Sequence, residues 1–301
     1  MKGWWAMSEL TDLRSALQRA APDPAWDLPH HRLTYEGAMA RLPVADNVEV
    51  VPTQAAGLDA EWLVPPGSRA DATVLYLHGG GFTMGSLATA RPLASRVAAA
   101  SGLRVLTLDY RLAPENPHPA ALDDAVDGLE WLRETEGGTI SLCGDSAGAG
   151  LAISLALVAR DRALPAPVAV ACMSPWVDLA LTGASVDTNA STDPQMPRWL
   201  LERFASMYAK TSGVEGPFVS PLHADLGGLP PLVVQVGTGE VLLDDAQRLV
   251  ARVRHAGGDA TIDRWDGCFH VFQAMSPMLP EADRAVTRLG MWLAEAAAVV
   301  R

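Results

Sequence analysis

The sequence is poor in cysteine and in positive charge. Three cysteines, Cys143, Cys172 and Cys268, among 301 residues are too few and too scattered for a disulfide framework, and no Cys-x-x-Cys pair indicates a structural zinc site. We expect each to be a small buried side chain in a reducing compartment. Lysine and arginine total 23 against 35 aspartates and glutamates, which gives a net charge of −12. Without clustered positive charge, the chain is a poor candidate for nucleic-acid binding.

Long apolar runs are missing as well. No stretch of about 18 apolar residues occurs, so no membrane-spanning helix is predicted. The start of the chain carries Glu9 and Asp12 and lacks the apolar centre of a signal peptide, which predicts a cytoplasmic location. The chain does have 49% hydrophobic and 19% charged residues, a composition that excludes intrinsic disorder and allows a large core.

Short apolar runs of strand length alternate with longer helical segments. The pattern predicts strands at 48–51, 60–64, 73–77, 104–108, 139–143, 168–172, 232–236 and 260–264. It predicts helices at 8–20, with Ser8 as N-cap, and at 88–100, 120–134, 147–160, 242–256 and 281–300. This alternation indicates right-handed βαβ crossovers and an α/β fold. The first two runs lie close together, which favours an antiparallel hairpin at one edge.

Two segments break the alternation. Pro22–Pro43 is rich in proline. Residues 179–211 contain a polar loop and then one amphipathic helix opened by Pro197. An insertion of this length is typical of a functional segment, although its apolar face is equally explained by core packing. That face carries Leu200, Phe204, Met207 and Tyr208.

Residues 144–148 (Gly-Asp-Ser-Ala-Gly) are the only Gly-x-Ser-x-Gly sequence in the chain. They follow a predicted strand and open a predicted helix, which is the context of a nucleophile elbow. Such a turn leaves no room for side chains two residues to either side of the serine, which explains Gly144 and Gly148. The pattern predicts that Ser146 is a nucleophile.

A serine hydroxyl needs a base, and the base needs an orienting acid. His270 is the best-placed base because it follows the last predicted strand, with His223 and His255 as competitors. Glu240 is the best-placed acid because it lies in the loop after strand 232–236. Asp244 is the alternative, but it falls where the next helix begins, and the helix dipole already explains a carboxylate there.

Residues 78–82 read His-Gly-Gly-Gly-Phe directly after a predicted strand. The glycines let backbone N–H groups approach a developing oxyanion, and the amide of Ala147 after the nucleophile adds a donor. A flexible linker or a phosphate loop would also contain such a triplet. However, neither a following Lys–Ser/Thr pair nor a Gly-x-Gly-x-x-Gly spacing occurs. We expect His78 to hold the loop and not to act as a second base.

Three motifs together resemble the hormone-sensitive-lipase-like branch of the α/β-hydrolases: residues 78–82, Tyr110–Glu115 (Tyr-Arg-Leu-Ala-Pro-Glu) with Pro119–Ala121, and 144–148. The resemblance extends from about the first strand to the C-terminus. It implies an α/β-hydrolase fold with a mostly parallel sheet of about eight strands flanked by helices and covered by a helical cap. The implied division is an N-terminal part of the cap at 1–44, a cap insertion at 179–211, and a core formed by 45–178 and 212–301.

The resemblance also implies a carboxylesterase that needs no metal or organic cofactor. Its catalytic groups would be the nucleophile Ser146, the base His270 and the oxyanion donors Gly80, Gly81 and Ala147. The family's acid motif is usually Asp-Pro-Leu, and Glu240–Leu242 stands in its place here. Arg111 and Glu115 are expected to tie loops beneath the site.

Substrate choice depends on the cap, which the resemblance suggests encloses short acyl chains. The predicted substrate contacts are Phe82, Asp145, Trp199, Phe204 and Met207, with Trp4, Trp5 and Met7 as further apolar candidates. The expected partner is a small-molecule ester, and the resemblance is also consistent with a homodimer. A lactone or specialised-metabolite ester hydrolase is an alternative. A catalytically silent ligand receptor is a weaker one, because both nucleophile and base candidates are present.

Overall fold

Eight short runs of branched and apolar residues pair into one sheet within the part of the chain that the computed structural model describes, residues 10–193, 195–276 and 278–299. The strands are β1 (Glu49–Ala55), β2 (Leu58–Val64), β3 (Arg69–Leu77), β4 (Leu103–Leu108), β5 (Thr139–Asp145), β6 (Val170–Met173), β7 (Leu232–Gly237) and β8 (Ala260–Trp265). Their order in the sheet is β1-β2-β4-β3-β5-β6-β7-β8. The pairs from β4 to β8 are parallel, so each predicted strand and the α/β class are confirmed.

The first two strands form the predicted edge hairpin. β1 and β2 are antiparallel, and β2 in turn pairs antiparallel with β4. Both strands run further than the apolar pattern indicates, so the link between them is only Ala56 and Gly57, with φ of 52° and 79°. Positive φ at both positions is the geometry that closes a two-residue hairpin. Pro52 is tolerated because β1 lies at the edge of the sheet.

Helices cover both faces of the sheet. They are α1 (Leu10–Arg19), α2 (Leu28–Met39), α3 (Leu87–Ser101), α4 (Ala120–Thr135), α5 (Ala147–Asp161), α6 (Ser185–Thr188), α7 (Arg198–Tyr208), α8 (Leu243–His255) and α9 (Pro280–Ala298). In β3, Leu75 and Leu77 pack into one apolar core while Val74 and Tyr76 pack into the other. This period of two, with both faces buried, explains why the strands read as nearly continuous apolar runs. No helix among the described residues is both long and apolar enough to cross a bilayer.

Helix α2 lies inside the proline-rich segment, for which the sequence pattern predicts no helix. Asp27 caps it by accepting a hydrogen bond from the N–H of His30 at 2.9 Å, and Pro29 occupies its first turn. Both are helix-start signals that the density of prolines obscured. In the segment 179–211, the predicted helix is α7, and the short helix α6 interrupts the predicted loop. Trp4, Trp5, Met7 and Ser8, for which the sequence predicts roles, lie outside the described residues.

Candidate active site

Ser146 lies in the sharp turn between β5 and α5, at the carboxyl edge of the sheet. Its backbone has φ 53° and ψ −122°, a conformation that L residues rarely adopt. Gly148 permits the turn, because a Cβ there would collide with the carbonyl oxygens of Leu77 and His78. Residues 144–148 therefore have the geometry expected of a nucleophile elbow.

The structure brings Ser146, His270 and Glu240 into one hydrogen-bonded chain. The Oγ of Ser146 lies 2.8 Å from Nε2 of His270, and Nδ1 of His270 lies 2.8 Å from Oε2 of Glu240. The other oxygen of Glu240 accepts hydrogen bonds from the Oγ of Ser174 at 3.0 Å and the N–H of Gly237 at 2.8 Å. With Nδ1–H donating to the carboxylate, Nε2 is left as the acceptor of the serine proton.

Burial and charge act on these groups in opposite senses. Burial alone would lower the pKa of His270, but the hydrogen bond and charge of Glu240, with the charges of Asp193 and Asp145, outweigh it and raise that pKa. Burial raises the pKa of Glu240, against the stabilising hydrogen bond to His270. The imidazole is thus a stronger base than in water, which suits a group that takes a proton from a hydroxyl.

The competing residues lie elsewhere. Asp244 accepts a hydrogen bond from the N–H of Ser185 at 3.0 Å. His223 faces Asp178, with 3.1 Å between Nε2 and Oδ1, and His255 is exposed at the end of α8. None of these three contacts the chain formed by the serine, the imidazole and the glutamate.

The oxyanion loop, residues 78–84, presents free backbone donors. The N–H of Gly79 donates to Oδ1 of Asp145 at 3.1 Å. By contrast, no described residue accepts a hydrogen bond from the N–H of Gly80, Gly81 or Ala147. Gly80 and Gly81 also line the cavity in front of the serine. Unpaired amides beside a nucleophile are the arrangement that stabilises an oxyanion.

The same loop is fixed to the sheet by buried polar contacts. Asp145 accepts a hydrogen bond from the hydroxyl of Tyr76 at 2.6 Å, and burial raises the pKa of this carboxyl. The ring of His78 stacks on Tyr110 at 4.2 Å, and its Nδ1 lies 2.7 Å from the carbonyl oxygen of Gly79. Burial lowers the pKa of His78 to about 4, so the ring is neutral at pH 7. Its contacts are those of a residue that holds the loop.

Helix α7 packs directly on the oxyanion loop. The ring of Phe82 stacks on that of Tyr208, with centroids 3.8 Å apart and planes 7° apart. A Cβ on Gly81 would collide with the ring of Phe204. The bare backbone at position 81 is therefore required both by its φ of 63° and by the aromatic side chain above it.

Arg32 on α2 ties a second segment to the same loop. Its Nε donates to the carbonyl oxygen of Thr83 at 2.7 Å, and its guanidinium forms a bidentate pair with Glu115 at 2.6 and 2.7 Å. Arg111 pairs instead with the buried Asp124. Glu115 thus ties loops, as expected, and its partner is Arg32, for which the sequence pattern predicts no role.

A cavity of about 580 Å³ opens in front of Ser146 and His270. Of the predicted substrate contacts, Asp145 and Phe204 line it, whereas Phe82, Trp199 and Met207 do not. Leu200, from the predicted apolar face of the insertion helix, also lines it. Much of the remaining wall is formed by methionines that the sequence pattern does not identify, among them Met39, Met84, Met196, Met275 and Met278.

The periodicity of α7 explains this division. Leu200 and Phe204 are four residues apart on α7 and share the side that faces the cavity, and Met196 lines the same wall from just before the helix. Trp199 and Met207 are turned away from that side and stay half-buried on the flank of the helix. The methionines come from separate segments, so no local pattern could have identified them.

A second buried carboxylate stands beside the imidazole. Oxygens of Asp193 and Glu240 and a nitrogen of His270 all lie within 4.8 Å of one another. This set resembles a metal-binding group, yet both nitrogens of His270 already have hydrogen-bond partners in Glu240 and Ser146. Its chemistry therefore favours proton transfer over metal coordination.

Comparison with known proteins agrees with this geometry. A family described as alpha/beta hydrolase fold matches residues 74–274. A crystal structure of an esterase from the bacterial hormone-sensitive lipase family superimposes with a TM-score of 0.92 and 40% sequence identity, covering 96% of this chain and 98% of that one. The chain belongs to the hormone-sensitive-lipase-like branch of the α/β-hydrolases.

Other relatives of this hydrolase have names that describe ester cleavage. An acetyl-hydrolase of Streptomyces hygroscopicus is 43% identical over 236 residues, which are 78% of this chain and 79% of the relative. An esterase whose crystal was soaked with p-nitrophenyl butyrate is 39% identical, with a TM-score of 0.92 and coverage of 96% and 99%. The hydrolase is a carboxylic ester hydrolase.

Proposed function

We propose that this hydrolase is a serine carboxylesterase that cleaves short-acyl esters through an acyl-enzyme intermediate. The observation that carries the proposal is the continuous chain from Ser146 through His270 to Glu240, beside the unpaired amides of Gly80 and Gly81. The geometry matches the roles of nucleophile, base, orienting acid and oxyanion donors.

The mechanism follows from the hydrogen bonds. Nε2 of His270 takes the hydroxyl proton as Oγ of Ser146 attacks the ester carbonyl, and the negative charge passes to the carbonyl oxygen, held by backbone amides. The imidazolium, stabilised by Glu240, gives its proton to the departing alkoxide, which leaves as the alcohol. Water then attacks the acyl-enzyme with His270 again as base, releasing the acid and regenerating the serine.

A short acyl group and a helical cap are the finer parts of the proposal. The relative named acetyl-hydrolase and the crystal soaked with a butyrate ester support short acyl chains. The described parts of segments 1–44 and 179–211 form the cap, which is supported by the positions of α2 and α7 along the cavity wall. A cytoplasmic location and a homodimer stay predictions.

The test is hydrolysis of p-nitrophenyl acetate, butyrate and decanoate by the wild-type hydrolase and by Ser146→Ala. We expect the acetate and butyrate to be cleaved faster than the decanoate, and S146A to lose about 10⁴-fold or more in kcat, because no other group replaces the nucleophile. An S146A variant with wild-type kcat would overturn the serine mechanism. Faster cleavage of the decanoate would overturn the short-acyl preference.

A further inference from the structure

The insertion does more than line the cavity, because its polar part surrounds the loop that carries the triad acid. We call residues 238–241 the acid loop. All four of its carbonyl oxygens accept hydrogen bonds from side chains of the insertion, at 2.6 to 3.2 Å. Asn189 bonds two of them, and Ser185 and Thr192 bond one each. Because these hydrogen bonds all come from the insertion, the insertion positions the acid loop.

Asp193 completes this contact and also faces the reacting groups. Its side chain is 1% exposed, and Oδ2 accepts a hydrogen bond from the N–H of Val241 at 3.0 Å. The backbone N–H groups of Gln195 and His270 also favour the charged form of this carboxylate. The carboxylate therefore joins the insertion to the residue after Glu240 while lying within 4.8 Å of ligand atoms of both Glu240 and His270.

Three carboxylates act on the imidazole from different elements. Glu240 is bonded to it from the acid loop, Asp193 approaches from the insertion, and Asp145 acts from the end of β5. Each favours the charged form of His270, the form that the base takes in the transition state. Burial raises the pKa of the Asp193 carboxyl, whereas the charge of His270 and the surrounding backbone N–H groups favour its ionised form.

We propose that Asp193 is a positioning residue of this active site: its carboxylate holds the acid loop in register and adds a second negative charge beside His270. The proposal rests on the proposed serine mechanism. It extends the triad to a fourth side chain that belongs to the insertion and not to the core sheet.

Two substitutions separate the two parts of this role. D193A removes both the hydrogen bond to Val241 and the charge, and we expect kcat to fall about 10- to 100-fold, because small displacements of catalytic groups cost that much, with little change in KM. D193N keeps an acceptor oxygen for the N–H of Val241 and removes the charge. We expect a smaller loss of kcat. We also expect the acid limb, which is the fall of kcat/KM at low pH, to move by about half a pH unit or more to lower pH.

The matched control is D187N, because Asp187 belongs to the same insertion but is 68% exposed and pairs with Arg198. It should behave as wild type. Activity is expressed per amount of folded protein, and circular dichroism and gel filtration measure that amount. A wild-type kcat for D193A would overturn the proposal, and an unmoved acid limb for D193N would overturn its electrostatic part. Failure of the serine mechanism itself would appear separately, as activity of S146A.

Discussion

The oxyanion loop and the acid loop lie on either side of Ser146 and are held by different means. In the oxyanion loop the useful groups are backbone amides. Polar contacts hold the loop at Gly79 and Thr83, and between these points bare backbone at positive φ packs under the rings of Phe204 and Tyr208. In the acid loop the useful group is the carboxylate of Glu240, and side-chain hydrogen bonds fix the backbone that carries it.

This difference determines how each loop can fail. A loop held by close steric contact is damaged by added atoms, since no space exists for a Cβ. A loop held by buried hydrogen bonds is damaged by the loss of a partner, which leaves a polar group unsatisfied. Added atoms in the oxyanion loop should lower the rate without changing the pKa of His270. Loss of a hydrogen-bond partner in the acid loop should change both the rate and that pKa.

The largest effect is expected at the acid itself. Glu240→Gln removes the charge that fixes the imidazole tautomer, and kcat should fall by about 10³- to 10⁴-fold. Asp244→Asn, four residues later, should stay within about two-fold of wild type, because an amide oxygen can still accept the N–H of Ser185. Steady-state kinetics on p-nitrophenyl butyrate measures both. If Asp244→Asn lost activity and Glu240→Gln kept it, Asp244 would be the triad acid, and the acid loop would not carry the catalytic carboxylate.

Features that depend on local sequence are predicted well on both sides of Ser146. The strands, the elbow and the glycine triplet are local patterns: a buried parallel strand is apolar throughout, and a tight turn or close approach demands glycine. The sequence also predicts that His270 and Glu240 lie near Ser146, because each follows a strand whose carboxyl end must lie at the same edge of the sheet, and the structure places the three in one hydrogen-bonded chain.

Contacts made across long separations carried no such signal. Asp193 reaches Val241 from 48 residues away, and Arg32 reaches Thr83 from 51 residues away. Each is an ordinary charged residue in a polar or proline-rich segment, and only folding reveals its partner. Phe82 was predicted to contact the substrate, but the backbone φ of 61° leaves its ring on Tyr208 and outside the cavity lining.

A smaller effect is expected from added atoms in the oxyanion loop. Gly81→Ala would force a Cβ into the ring of Phe204, displacing a donor amide, and kcat should fall about 100-fold. Gly213→Ala is the matched control, since Gly213 has a similar φ of 73° with no atom within 4 Å of the added Cβ. It should lose some stability and keep its activity. Equal kinetics for the two variants would show that the steric contact with Phe204 is unimportant.

The smallest and most discriminating effect concerns pH. Activity requires neutral His270, so kcat/KM should fall about tenfold per pH unit below its pKa. Because that pKa is raised, the midpoint of the acid limb should lie above about 6.5 in the wild type. Glu240→Gln removes the charge that contributes most to this elevation and should move the midpoint to lower pH. Gly81→Ala changes no titratable group and should lower the whole profile without moving its midpoint. Profiles of kcat/KM from pH 5 to 9 for the wild type, E240Q and G81A test this difference. If G81A moves the midpoint of the acid limb as far as E240Q does, damage to the oxyanion loop also changes the pKa of His270, and the two loops do not act independently.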